Sequence, residues 1–176
     1  MNKLSNDKST VEDDKREILR MKEQEFMREA IRLSIENVQI GMGGPFAAVI
    51  VKNGNIIAHG TNLVTSTNDP TAHAEIEAIR EACKTLDTFQ LDGCDIYTSC
   101  EPCPMCLGAI YWARLDRVFY ANTKEDAAAI DFDDSFIYEE FLKKIGNRRI
   151  PMKQLIRDEA LTGFEVWKKK VDKVKY

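Results

Sequence analysis

The sequence predicts an α/β fold, a three-layer α/β/α sandwich around a mixed central sheet. Helical and strand patterns alternate along the chain. An Asn53-Gly54 pair joins two apolar runs and marks a hairpin inside the sheet. The 176 residues, 44% hydrophobic, make one domain with room for a full core. Residues up to about Asp14 are polar and are expected to be loose. Met27, Ile31, Ser34, Ile35 and Val38 then trace one helical face that ends near Gly41. Pro45 to Lys52 reads as a buried strand, and Ile56 to Val64 as its antiparallel partner beyond the turn. A helix from about Ala72 to Lys84 follows Asp69-Pro70-Thr71, which offers a capping residue and a proline of fixed φ. Asp95 to Ser99 is a short strand that delivers a helix of about Pro104 to Arg114. Asp116 to Ala121 is the next strand, a helix starts near Ser135, and Pro151 to Arg157 reads as a last strand. The expected division is an extension over 1–22 (helical or partly disordered), a body over 23–157 and a C-terminal segment over 158–176.

Composition narrows the setting. Net charge is −4, which argues against a large nucleic-acid surface, though not against a small basic patch. The apolar run from Pro45 to Val51 stops at Lys52, short of membrane-spanning length, and no apolar region marks a secretory signal. Five cysteines with metal-type spacing suit a reducing cytoplasm better than a disulfide framework.

The chemistry concentrates in His73-Ala74-Glu75 and Pro102-Cys103-Pro104-Met105-Cys106. They supply one imidazole, two thiolates and one carboxylate, a set that resembles the signature of zinc deaminases and so implies a zinc-activated water that attacks an amine-bearing carbon of a nucleobase. Zinc takes about four ligands, and a catalytic site keeps one position for water, so His73, Cys103 and Cys106 suffice. Cys103 and Cys106 share one side of a helical turn near the positive end of the helix dipole, which favours thiolate. His73 and Glu75, two apart, converge only at a helix end. Two helices are therefore expected to aim their N-termini at one metal. Zn²⁺ with two thiolates and a neutral imidazole is net neutral, so its water is less acidified than beside three histidines. A separate proton acceptor is wanted, and Glu75 fits; alone it would read as a solvated helix carboxylate.

Other readings of the cysteines meet obstacles. Cys100, Cys103 and Cys106 begin an iron–sulfur pattern, but Ile110 stands where a fourth cysteine belongs. A structural zinc ribbon needs a second close pair, and Cys83 and Cys94 stand alone. A redox pair leaves His73-Ala74-Glu75 unexplained. Cys100 reads as a thiol beside the site or in the core, Cys83 as a core residue and His59 as a structural histidine on a strand.

The segments Asn68 to Glu75 and Ser99 to Ile110 resemble the cytidine-deaminase-like superfamily. Within it, Gly43-Gly44-Pro45-Phe46, the run Phe132 to Tyr138 and a terminal tyrosine resemble the bacterial guanine deaminases, over about Phe26 to Tyr176. The resemblance implies hydrolytic loss of the C2 amine of guanine, giving xanthine and ammonia. A zinc-bound hydroxide would attack C2, with one Zn²⁺ per subunit and Glu75 as proton shuttle. It implies that Asp134 accepts hydrogen bonds from the 2-amino group, where capping the helix near Ser135 is the competing role. Asn62 matches the residue whose amide reads the ring edge, beside the plainer reading of a turn asparagine. Phe46, Trp112 and Ala74 match further substrate-binding positions, although Phe46 and Trp112 sit in apolar segments where core packing is the ordinary expectation. In such enzymes the C-terminal segment is exchanged within a homodimer and its last tyrosine closes the site; Tyr176 matches it, with Phe164, Val166, Trp167 and Val171 as anchors. Alternatives are a tRNA adenosine deaminase, a deaminase of guanosine or cytosine, and a non-catalytic zinc module. The acidic balance and the Phe132 to Tyr138 run speak against the first, and Glu75 against the last.

Overall fold

The computed structural model describes residues 6–175, with side chains from residue 16 onward. The chain forms two units, Met1–Asp133 and Asp134–Tyr176. The first opens on α1, one continuous helix over Asn6–Gln39. Over residues 6–14 the expected looseness is not seen, and residues 1–5 lie outside the described residues. The stretch from Asn6 to Glu25 has no glycine or proline and is rich in Glu, Lys and Arg, so nothing in it breaks a helix. The buried face of α1 is also rotated from the expected one. Ala30, Ser34 and Asn37 are buried and Phe26, Met27 and Leu33 pack on the sheet, while Ile31, Ile35 and Val38 are exposed. Ala30 is small enough to sit close against the strands, and the two polar residues are tolerated because they are bonded. Ser34 donates to the Ile31 carbonyl at 2.8 Å, and Asn37 donates to two loop carbonyls.

Strand β1 (Ala47–Lys52) turns through Asn53-Gly54, both at positive φ, into antiparallel β2 (Asn55–Thr61). β2 stops short of the expected Val64, which instead opens a single helical turn, α2 (Val64–Thr67). Helix α3 (Ala74–Leu86) leads to β3 (Cys94–Cys100), α4 (Pro104–Ala113), β4 (Arg117–Asn122) and α5 (Lys124–Ala128). The sheet order is β2-β1-β3-β4, antiparallel at the first two junctions and parallel between β3 and β4, so the sheet is mixed.

Strand alternation sorts β1 onto two cores. Val49 and Val51 join Tyr97 beneath α1, where the Tyr97 ring stacks on Phe119 at 4.5 Å. Ala48 and Ile50 join Ile96 against Ala74, Ala78 and Ala82 of α3 and Ile110 and Ala113 of α4. Each fully buried Ile or Leu here contributes about 1.5–3 kcal/mol of transfer free energy. The alanine row brings α3 close to the sheet, and Gly60 completes the fit: a Cβ there would strike the Ala74 carbonyl and the Ala78 amide. This close approach sets the height of the α3 N-terminus above the strands.

The second unit holds α6 (Ser135–Leu142), a 3-10 turn (Ile145–Asn147) and α7 (Arg157–Lys169). The strand expected over Pro151 to Arg157 is absent. Residues 151–156 have no regular structure, and no described strand pairs with them. A strand needs a neighbour for its backbone groups, which strand-forming residues alone do not supply. No described residue of this unit is buried.

Candidate active site

The donor side chains converge at the N-termini of α3 and α4. Asp69 does not cap α3; its carboxylate accepts from the Thr71 amide at 2.8 Å and hydroxyl at 2.7 Å, tightening the loop before the helix. The cap is His73 itself, extended at φ −75° and ψ 155°, with the helix starting at Ala74. His73 is thereby outside the helix and Glu75 in its first turn, which is how two residues so near in sequence converge. Cys103 caps α4 in the same conformation (φ −63°, ψ 167°), and Pro104 takes the first helical position.

His73 Nδ1 lies 3.6 Å from Cys103 Sγ and 3.5 Å from Cys106 Sγ. The three ligand atoms all lie within 4.8 Å of one another. A tetrahedral zinc with Zn–N near 2.05 Å and Zn–S near 2.3 Å needs an N···S separation of about 3.6 Å. The donor set therefore fits zinc in type and in spacing. Cys103 is held down to about 4, first by its hydrogen bond with Cys106 and then by His73. Cys106 is pushed up by the neighbouring Cys103 sulfur and by burial. A cation bound to both sulfurs would favour their thiolate forms.

Glu75 is buried, and burial pushes its carboxyl up from the ordinary glutamate range. Its own backbone N–H, Cys106 and Thr98 offset part of that; Thr98 Oγ1 donates to Oε1 at 3.1 Å. A buried carboxyl beside the metal ligands can hold a proton and give it up, as a general acid–base must.

Asn62 is buried at the end of β2, with Oδ1 accepting from the Val64 amide at 3.3 Å. Its backbone is held from both sides: its N–H donates to the Phe46 carbonyl at 3.0 Å, and its carbonyl accepts from Asn37 at 2.9 Å. Asn37 Nδ2 also donates to the Gly44 carbonyl at 2.9 Å, so one amide ties α1 to both loops around Asn62. A Cβ at Gly43 would collide with the Asn62 carbonyl. Phe46 packs on the core and meets Phe132 edge-on at 4.9 Å. Ala74 is fully buried. Trp112, by contrast, is 70% exposed on α4 rather than packed inside. Asp134, in the second unit, is the N-cap residue of α6 without a capping bond from its side chain. Tyr176 lies outside the described residues.

Cys100 is buried, donates to the Thr123 carbonyl at 3.5 Å and is pushed up to about 11 by burial; it is not among the three converging ligands. Cys83 is half-buried against the core of α3. His59 is half-exposed on β2, its Nε2 3.9 Å from Glu29. Thr98 and Asn37 are the contributors that sequence reasoning missed. A hydroxyl interrupting the apolar row of a buried strand, and an asparagine at a helix position facing the sheet, were the available signals.

Residues 20–122 match the cytidine and deoxycytidylate deaminase zinc-binding region. The chain is 56% identical over 156 residues to guanine deaminase of Bacillus subtilis, covering 89% of this chain and 100% of that one. The crystal structure of a Bacillus subtilis guanine deaminase superposes with a TM-score of 0.85 over 87% of this chain and 98% of that one. A guanine deaminase structure from Nitrosomonas europaea is 39% identical, with a TM-score of 0.59 over 61% of this chain and 63% of that one. The tRNA-specific adenosine deaminase of Aquifex aeolicus is 47% identical over 77 residues, 44% of this chain and 51% of that one. The converging donors, the buried glutamate and full-length identity agree: this chain belongs to the zinc-binding cytidine and deoxycytidylate deaminase family, in its guanine deaminase branch.

Proposed function

We propose that this protein removes the 2-amino group of guanine by hydrolysis, giving xanthine and ammonia. The observation that carries the reading is a buried Glu75 set against a His73–Cys103–Cys106 donor group, in a chain 56% identical to a guanine deaminase along that protein's whole length. His73 Nδ1 and the two sulfurs would hold one zinc per chain, which supplies Lewis acidity that makes water reactive near neutral pH. Glu75 takes one proton from the attacking water and gives it to the ring nitrogen, then carries the second from the added hydroxyl to the amine, which leaves as ammonia. Asn62 reads the ring edge, with Phe46, Trp112 and Ala74 as further substrate contacts, and Asp134 accepts from the 2-amino group. A carboxylate suits that last task because it only accepts, and guanine presents donors there.

The working state we propose is a cytoplasmic homodimer whose segment 158–176 is exchanged between subunits, with Tyr176 closing the site. The exposed Phe164, Val166, Trp167 and Val171 support this reading, since large apolar side chains in such number mark a surface that another chain covers. No described helix is long and apolar enough to cross a membrane.

The test is ammonia release by the zinc-loaded protein from guanine, guanosine, cytosine and an adenosine-containing tRNA stem-loop. Release from guanine alone is the expected result. Release from another of the four instead reassigns the substrate within the family. Zinc-replete protein silent on all four overturns the proposed reaction.

A further inference from the structure

The face of β3 that meets α3 carries Cys94, Ile96, Thr98 and Cys100 in alternation, and Thr98 is the hydroxyl in that row. Thr98 is 1% exposed, and its Oγ1 donates to Glu75 Oε1 at 3.1 Å. Burying a hydroxyl among apolar side chains costs free energy unless it is bonded, and valine would fill the same volume without that cost. The hydroxyl therefore serves its partner rather than the core.

Its mounting is stiff. The Thr98 backbone lies in register between Ala48 on β1 and Tyr120 on β4, paired on both sides within the sheet. A β-branched side chain on such a strand has little torsional freedom. Glu75, by contrast, projects from the first turn of α3 on three rotatable bonds. We propose that Thr98 is a positioning residue: it fixes Oε1 of Glu75, and so sets the direction in which the carboxylate exchanges its proton. This rests on the reading of Glu75 as the proton carrier.

Thr98→Val removes the hydroxyl and keeps the shape, while Thr98→Ser keeps the hydroxyl. Four quantities are compared in the full zinc-loaded protein: kcat and KM on guanine, zinc content, Tm, and the Glu75 side chain in crystal structures. The expected result for Thr98→Val is a kcat lower by about tenfold or more, from a misaimed carboxylate. KM should stay within about twofold and zinc content should match wild type, because binding and metal ligation are untouched, while Tm falls slightly because buried Glu75 loses a donor. Glu75 should occupy more than one orientation, and Thr98→Ser should recover most of the rate. Thr98→Val with wild-type kcat overturns the proposal. So does an equal loss of zinc or Tm in both variants, which would make the role structural. If wild-type protein does not act on guanine, the proposed reaction falls, and the crystal structures still decide this point: one Glu75 orientation in both wild type and Thr98→Val overturns it.

Discussion

Residues up to Asp133 and residues from Asp134 onward follow opposite rules. The first unit puts Ile50, Ile96, Tyr97 and Leu91 fully inside, lays helices on both faces of its sheet and brings His73, Cys103 and Cys106 together from within. The second has comparable apolar material, including Phe141, Leu142, Ile150, Ile156, Phe164 and Val171, and buries none of it. The difference lies in arrangement, not composition. In the first unit the apolar residues recur with the period of the element that carries them, so each element closes on a neighbour. In the second they lie on helices and loops that supply no closed layer of their own. The converging donors thus lie where the chain is self-sufficient, and the second unit leaves its large apolar side chains exposed.

The largest effects fall on the self-sufficient unit. Cys103→Ala should lose the zinc and with it all turnover, read by metal analysis beside the ammonia assay. Glu75→Gln should keep zinc and fold while activity falls by about 10³-fold; full activity in that variant would remove Glu75 from the chemistry. Gly60→Val forces a side chain into the Ala74 carbonyl and should destabilise the domain by about 3 kcal/mol or more, measured by urea unfolding. Removing residues 158–176 sharpens the comparison. The first unit should keep its zinc and its near-UV circular dichroism, while the proposed dimer should be lost in sedimentation and turnover should drop by about a hundredfold. If the truncated chain unfolds instead, the two regions are not independent and the contrast fails.

The smallest effect concerns α5. The Thr123 backbone amide, and then its hydroxyl, hold Asp126 below the ordinary aspartate range. Because the folded value is depressed, this stabilisation is present above the unfolded aspartate pKa and is lost as pH falls through the folded one. Asp126→Asn should therefore lower Tm slightly at pH 7 and not at all in strong acid.

The fold was legible in the sequence, and so was the pairing of two helix starts that brings His73, Cys103 and Cys106 together, because each helix start and the hairpin are set by short-range signals. The hairpin at Asn53-Gly54, the Pro104 start of α4 and the ligand pattern each declare themselves within a few residues. The buried face of α1 was not legible. Two stripes share its helical period and both include Met27 and Ser34; the one that packs adds Asn37, whose burial depends on carbonyls that only the folded loops provide. Thr98 was hidden for the same reason, since its partner lies 23 residues away on another element. The false strand at Pro151 shows the converse: a segment with strand-forming residues does not become a strand without a neighbour to pair with.

The three donors come from two helix starts some thirty residues apart, joined through the buried strand β3. A peptide holding Cys103-Pro104-Met105-Cys106 carries only two of them, so tight capture of the metal waits until the sheet has set both helices in place. The zinc content of a preparation is then a gauge of its folded fraction, readable on a single sample before any substrate is added.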